Sequence, residues 1–321
     1  MTKRRQAGAA LLMAMLTVAL VATFAAAALW QQWRTVEVEA AERARVQSGW
    51  IITGALDWAR LLLSEDARAG TVDHLGEPWA VPLEESRLSS FLAAEGGSAD
   101  LAGGVMDAFL SGQISDLQAR LNVMNLANGQ NTAARDAFAR LFQDLGLPQT
   151  ELDTLEQNLR IAIAAVNVSP AAPQAPLLPQ TVDQLVWLGV SQDTVAALGP
   201  YVMVVNSLQP TKVNINTASA EVIAAAAGVS IAQGQQLVSQ REGAPFKTVQ
   251  AAQGILGTIT PQIAGLLDVS TQFFEVRSRL RLDQLIVEDR AVLLRIGVNN
   301  IQILQRERVL VAPNATTTAR R

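Results

Sequence analysis

Residues Ala9 to Trp33 read AALLMAMLTVALVATFAAAALWQQW, and no charged side chain occurs from Gln6 to Trp33. The 22 residues from Ala9 to Trp30 are nearly all apolar, about 33 Å of α-helix at roughly 1.5 Å per residue. That matches a hydrocarbon core of roughly 30 Å. The run holds no Pro and no Gly, so nothing in it breaks a helix. Lys3, Arg4 and Arg5 precede it, while both signs of charge follow it. The positive-inside rule then puts the N-terminus in the cytoplasm and the body across the membrane. A cleaved secretory signal is the rival reading, with Ala25 to Ala28 resembling its small-residue cleavage site. Such signals have a shorter apolar region, and this one ends in Trp30 and Trp33, which suit interfacial anchors.

Working outward, TVEVEAAERARVQSGWIITGALDWARLLLSED keeps apolar residues at spacings of three and four, among them Val38, Ala41, Ile52, Leu56, Ala59 and Leu63. One long helix, or two stacked pieces, is expected from about Ala9 to Leu63, half in lipid and half amphipathic. Gly49 and Gly54 mark a bend or close packing in it. The stretch DARAGTVDHLGEPWAVPLEE reads as a loop. GQISDLQARLNVMNL, Gly112 to Leu126, reads as a strand pair or strand and turn. From Thr132 the pattern is helical: residues 132–146, 150–166 and, after the proline-rich Ser169–Gln180, short helices from Thr181 stopped at Gly189 and Gly199. Lys212 to Gly257 predicts a compact module of short helices, with Thr217 or Ser219 as a cap and Gly228 as a stop. After Asp268 alternation with period two takes over, and predicts antiparallel strands at 272–282, 285–297 and 301–312. Strand formers thus flank a helical block of roughly 135 residues, an insertion size that loop-closure entropy tolerates.

The chain has 321 residues, formal charge -4, no cysteine and one histidine, His74. Disulfides, thiolate metal sites and cysteine nucleophiles are excluded. An acidic body is a poor coat for a polyanion. There is no G-x-S-x-G, H-E-x-x-H or P-loop, and adjacent acids such as Glu84 and Glu85 read as solubilising, so no enzyme activity is expected. Arg277, Arg279 and Arg281 share one strand face, which is either solvated or docks a partner subunit or the insertion.

The basic leader ending in Gly8 before an apolar helix resembles the type IV prepilin leader. The resemblance implies cleavage by prepilin peptidase between Gly8 and Ala9, with N-methylation of Ala9. Met13 stands where most of that family has a glutamate, a departure that suits the first subunit placed. DHLGEPWAVPL (Asp73–Leu83), GQISDLQARLNVMNL, KVNINTASAEVIAA (Lys212–Ala225) and the strand-rich end, in that order, resemble the type II secretion minor pseudopilin K (GspK) family. The implied fold is α+β and type IV pilin-like: a long N-terminal helix packed on an antiparallel sheet, with a large all-helical insertion domain. The implied division is a leader 1–8, a transmembrane half 9–33 and the first part of the head 34–131. An insertion 132–268, with its helix–hairpin–helix-like part at 212–257, strands 269–313 and a tail 314–321 follow.

The implied function is capping the periplasmic pseudopilus with minor pseudopilins I and J and helping to initiate its assembly, for export of folded proteins across the outer membrane. Major pseudopilin G and minor pseudopilin H are more distant partners, and the inner membrane holds the anchor. Some members bind calcium through acids in the insertion. The corresponding Leu159–Pro176 has no Asp or Glu, leaving Glu77 and Asp116 as weak metal candidates and no firm cofactor. Lys212–Gly257 also resembles the paired helix–hairpin–helix of membrane-anchored competence DNA receptors. From Thr211 to Asp268, however, three basic residues (Lys212, Arg241, Lys247) face three acids (Glu221, Glu242, Asp268), so no basic face exists for phosphate.

Overall fold

In the computed structural model, which describes residues 7–90, 108–127, 132–166, 175–207, 209–282 and 285–311, helix α1 runs unbroken from Ala7 to Ala69. The leader residues 1–6, residues 91–107, the first half of the proline-rich stretch and the tail lie outside the described residues. The helix runs on through Gly49 and Gly54. A Cβ at Gly49 would meet the Arg308 guanidinium at an ordinary 3.6 Å and one at Gly54 would face open space, so neither position requires glycine. From Leu11 to Trp33 the large apolar side chains are exposed, and this is the one helix among the described residues long and apolar enough to cross a membrane. Further along, Ile52, Leu56, Ala59 and Leu63 turn inward. Their spacing of 4, 3 and 4 is one stripe of a 3.6-residue helix. Burying Ile52, Leu56 and Leu63 is worth about 1.5–3 kcal/mol each.

That stripe lies on a five-stranded antiparallel sheet of order β1-β2-β7-β8-β9. Its strands are β1 (Leu83–Arg87), β2 (Ala108–Asp116), β7 (Phe273–Leu282), β8 (Leu285–Arg295) and β9 (Ile301–Val311). Alternation puts Phe274, Val276, Leu280 and Leu282 of β7 on the α1 side, with Val287, Ala291 and Leu293 of β8. On the opposite face Phe273, Val292 and Leu294 pack against Leu117, Met203 and Val205.

Between β2 and β7 lies the helical block: α2 (Thr132–Asp144), α3 (Gln149–Val166), a 3-10 helix Val182–Leu188, α4 (Gln192–Leu198), α5 (Ala220–Ala227), α6 (Ile231–Gly243), α7 (Gln253–Leu256) and α8 (Pro261–Leu266). It has its own core, in which Phe138, Phe142, Leu152, Leu155, Leu185, Ile223 and Leu237 are fully buried. Ser219 caps α5, its hydroxyl accepting from Val222 N at 3.4 Å, and Gly228 ends it at φ 70°. Gly234 lets α6 cross the start of α5, since a Cβ there would stand 2.4 Å from the Ala220 carbonyl oxygen.

Two readings need correction, and one resolves between its alternatives. Leu83–Arg87 is an edge strand, not loop; LEESR is short and polar, and only its pairing with β2 makes it a strand. Gly112–Leu126 takes the second of its two readings, strand and turn. β2 ends at Asp116, a 3-10 turn follows, and the two-residue β3 (Leu121–Asn122) pairs in parallel with β4 (Val202–Met203) of the helical block. The block is also not purely helical. It contains β4, and β5 (Val213–Asn214) pairs in parallel with β6 (Leu267–Asp268).

Candidate functional site

Three of the motifs singled out in the sequence, far apart along the chain, meet at one buried polar junction beside the far end of α1. Asp66 lies in the last turn of α1, and Asp73 in the loop after it. Asp116 ends β2, Asn214 and Thr217 open the helical block's third motif, Thr271 leads into β7, and Arg295 ends β8. Asn214 Nδ2 donates to the Asp73 carbonyl (3.0 Å), Asp116 Oδ2 (3.2 Å) and Thr271 Oγ1 (3.0 Å). The hydroxyls of Thr217 and Thr271 donate to Asp116 Oδ2 at 2.5 and 2.6 Å. Thr271 N donates to Asp73 Oδ2 at 2.6 Å. Thr217 therefore serves Asp116 rather than capping α5.

Arg295 is the cation of this junction. Its guanidinium donates to Asp66 Oδ2 (2.7 Å), Asp73 Oδ1 and the Thr271 carbonyl (2.8 Å), and stacks 4.8 Å from the Phe274 ring centroid. Phe274 in turn meets buried Trp79 edge-on at 5.3 Å. Burial pushes the Asp66 and Asp73 carboxyls up against the pull of Arg295. Burial likewise pushes Asp116 up to about 6, with the charge of Asp73 adding to it and the bonds from Thr217, Thr271 and Gln118 opposing it.

Around this centre, amide side chains stand in for backbone. Asn122 donates to Val205 O (2.7 Å) and accepts from Val205 N (3.2 Å). Asn125 pairs in the same two-way fashion with Thr211, at 2.8 and 3.1 Å. Asn216 does so with Phe246, at 2.9 Å for both bonds. Gln118 donates to Lys212 O and accepts from Gln272 N. A carboxamide carries one acceptor and two donors on one plane, as a peptide group nearly does. Each such pair fixes a segment of irregular chain whose buried backbone groups would otherwise be unsatisfied.

The two weak metal candidates fall apart. Glu77 Oε2 accepts from the Trp79 indole N–H (2.7 Å) and His74 N (2.9 Å), and lies with Asp66 and Asp73, where the Arg295 guanidinium holds two of the three carboxylates. Asp116 belongs to the threonine–asparagine set. A hard cation needs several free oxygen ligands, and these residues do not fit one. His74 is half-buried, its Nδ1 accepting from Gly76 N at 3.1 Å.

The helix–hairpin–helix resemblance fails on its chemistry. At the hairpin Val229 N donates to Ala224 O and Ser230 N to Gln233 Oε1, so these turn amides are not available to phosphate. Arg241 bonds the Ile215 and Ala218 carbonyls, and Lys212 faces Asp268 at 3.6 Å. The arginine face of β7 is a lattice of ion pairs. Arg277 and Arg290 hold buried Glu275, Arg281 meets Glu85 at 2.6 Å, and Arg279 faces Glu288 at 3.7 Å. Burial alone would raise the Glu275 carboxyl, but Arg290 and Arg277 hold it low. Gly8, Ala9 and Met13 lie in α1, with Met13 exposed on it.

The sequence reading missed Asp66, Asp73, Asn214, Thr217, Thr271 and Arg295 as a set. Asp73 and Asn214 stood inside quoted motifs, but their partners lie 222 and 98 residues away. The one local signal was Arg295 itself, a lone charge closing the apolar run Val292–Leu294.

Comparison with known proteins agrees with this construction. Two family models, both described as type II secretion system (T2SS), protein K, match residues 119–207 and 213–270. The type II secretion system protein K of Pseudomonas aeruginosa is 26% identical over 309 residues, covering 87% of this chain and 86% of that protein. The fold is similar to a chain in the crystal structure of the GspK-GspI-GspJ complex of enterotoxigenic Escherichia coli. The TM-score is 0.65 at 17% identity, over 86% of this chain and 99% of the other. The two matched segments, the relative and the shared fold agree on one family, that of type II secretion system protein K.

Proposed function

We propose that this chain is a non-enzymatic minor pseudopilin that caps the tip of the periplasmic pseudopilus together with minor pseudopilins I and J, and helps initiate its assembly for protein export. The observation that carries the reading is where the helical block is fastened. Its junction is built on Asp66, Asp73 and Arg295, at the end of α1 opposite the apolar stretch. The 33 residues from Trp33 to Asp66 put it about 50 Å beyond the membrane boundary at roughly 1.5 Å per residue. A subunit stacked further along a shaft needs that end of the head clear, so a head burdened there suits the tip. The GspK relative of known structure was solved in complex with GspI and GspJ, which supports the same partners here.

In this reading residues 9–33 hold the chain in the inner membrane, with the N-terminus cytoplasmic and the body periplasmic. Prepilin peptidase cuts between Gly8 and Ala9, and Ala9 is N-methylated. Met13 leaves the helix without the carboxylate that pairs with a neighbouring subunit's new amino terminus, as suits the first subunit placed. Pseudopilins G and H lie further down the fibre.

Co-purification of the detergent-solubilised full chain with minor pseudopilins I and J tests the partners. A stable complex is expected, and its absence under conditions where I and J bind one another refutes the assignment. Gly8→Ala is expected to leave the uncleaved form and abolish secretion; normal secretion from that variant refutes the processing step.

A further inference from the structure

Asp116 is a buried carboxylate with no cation among its hydrogen-bond partners. Its Oδ1 accepts from Gln118 N at 2.6 Å. Its Oδ2 accepts from Thr217 Oγ1, Thr271 Oγ1 and Asn214 Nδ2. These donors come from the exit of β2, from the helical block and from the return into β7, so the one carboxyl ties three segments across the junction. The geometry also serves two protonation states. Ionised, Asp116 receives all four bonds but has no counter-charge in direct contact. Protonated, its O–H donates to Thr217 Oγ1, whose own hydrogen turns to the Asn214 carbonyl oxygen 3.3 Å away. Asn214 Nδ2 keeps the Thr271 hydroxyl and the Asp73 carbonyl as acceptors. No group loses a partner on protonation, whereas ionisation leaves a charge desolvated.

We propose that Asp116 is a proton-operated latch between the helical block and the sheet, firmest when its carboxyl is protonated and loosened as it ionises.

Among the described residues no cation bonds Asp116 directly. Asp73, on the loop after α1, adds to the upward push on Asp116 and is itself held by Arg295 of β8 together with Asp66. Glu77 and His74 share that loop. Glu275 of β7 is occupied by Arg277 and Arg290. Arg120, on the segment leaving β2, is buried enough that its pKa is lowered; Glu275 is its strongest charge partner and Asp116 a weaker one, without a hydrogen bond between them. On the block's side Lys212 faces Asp268.

The carboxyl sits near 6 when enclosed and near 3.9 when opened to water. A folded pKa above the opened one gives stability that is full below about 3.9 and is lost as pH rises through about 6. Linkage then makes the opening equilibrium grow about tenfold between about pH 5 and 7.5.

The test is hydrogen–deuterium exchange on the full-length protein in detergent, corrected for the intrinsic pH dependence, read at 211–218 and 268–273. Wild type is expected to open about tenfold more at about pH 7.5 than at about pH 5. In Asp116→Asn, whose amide donates to Thr217 as the protonated acid does, the change is expected to shrink to what Asp66 and Asp73, also raised by burial, contribute. In His74→Gln it is expected to remain. A flat wild-type profile, a tenfold change surviving in Asp116→Asn, or its loss in His74→Gln overturns the proposal. If Asp116→Asn does not fold, Thr217→Val takes its place. The variant costs the ionised form a charge-assisted bond and the protonated form only a weaker neutral one, so the transition moves to higher pH, while Thr217→Ser leaves it in place, and an unmoved transition in Thr217→Val overturns the latch.

Discussion

Replacing Arg295 by Met tests the junction most directly. The guanidinium holds Asp66 and Asp73 and the Thr271 carbonyl, and it stacks on Phe274. Met keeps most of the volume and the apolar stem, so the cavity term is small. What remains is a pair of carboxylates buried without their cation, and breaking a buried pair in this way costs about 3–5 kcal/mol. For a large domain that is a fall in Tm of roughly 6–20 °C. The pH dependence carries the stronger inference. Asp66 and Asp73 are already pushed up by burial, and without Arg295 they rise further. The folded variant then binds protons more tightly than its unfolded chain, so its stability falls as pH rises. The deficit relative to wild type is expected to be largest near neutral pH and to shrink as the acids protonate. Adding Asp73→Asn to the variant removes one of the stranded charges and recovers part of the loss. Thermal unfolding of the detergent-solubilised chain at several pH values measures all of this. A loss below about 1 kcal/mol, the range of a surface pair, or a loss equal at acid and neutral pH, refutes the account of Arg295 as the junction's cation.

Other substitutions follow from single contacts. Gly234→Ala pushes a methyl to 2.4 Å from the Ala220 carbonyl and is expected to destabilise by about 1–3 kcal/mol. Its unfolding midpoint checks this, and a stabilised variant, as helix propensity alone predicts, overturns the close crossing. Asn216→Asp keeps the acceptor for Phe246 N but loses the donor to Phe246 O. The predicted loss is about 1–3 kcal/mol or more, with exchange at Phe246 rising first. Millimolar calcium is expected to move Tm by less than about 1 °C, because ligand-linked stabilisation requires a site. A rise of several degrees reversed by chelator contradicts the fit argued from Glu77 and Asp116.

Periodicity made the architecture legible where an element is long and one-sided. The stripe Ile52–Leu56–Ala59–Leu63 and the alternation Phe274–Val276–Leu280 each carry their own partner face, so α1 and the strands β7, β8 and β9 are readable locally. Below Ser48 the same helical spacing continues, yet Val38 stays exposed, because periodicity marks a face without saying that anything covers it. Leu83–Arg87 was illegible because an edge strand with two glutamates takes its identity from β2. The junction was illegible for a further reason. Asn214, Asp116 and Thr271 are ordinary loop residues by type, and only a contact across 98 or 57 residues gives them a task. The motifs that carried the family resemblance were visible as strings, but what they share is a place in space.

That shared place separates two kinds of interaction between the head and the helical block. The apolar contact is small: Leu117, Met203, Val205, Phe273 and Val292, while each part keeps a core of its own. Non-directional burial of that extent holds the block near the sheet but leaves its angle open. The directional bonds close that freedom. Asn122 reaches across to Val205, Asn125 to Thr211, and Arg295 reaches Asp66 and Asp73 from β8. A one-residue slip of the incoming chain leaves several buried donors and acceptors unmatched at once. The block is therefore carried at a set angle on the far end of α1, and a change that spares both cores but loosens these bonds alters where it points before it alters whether either part folds.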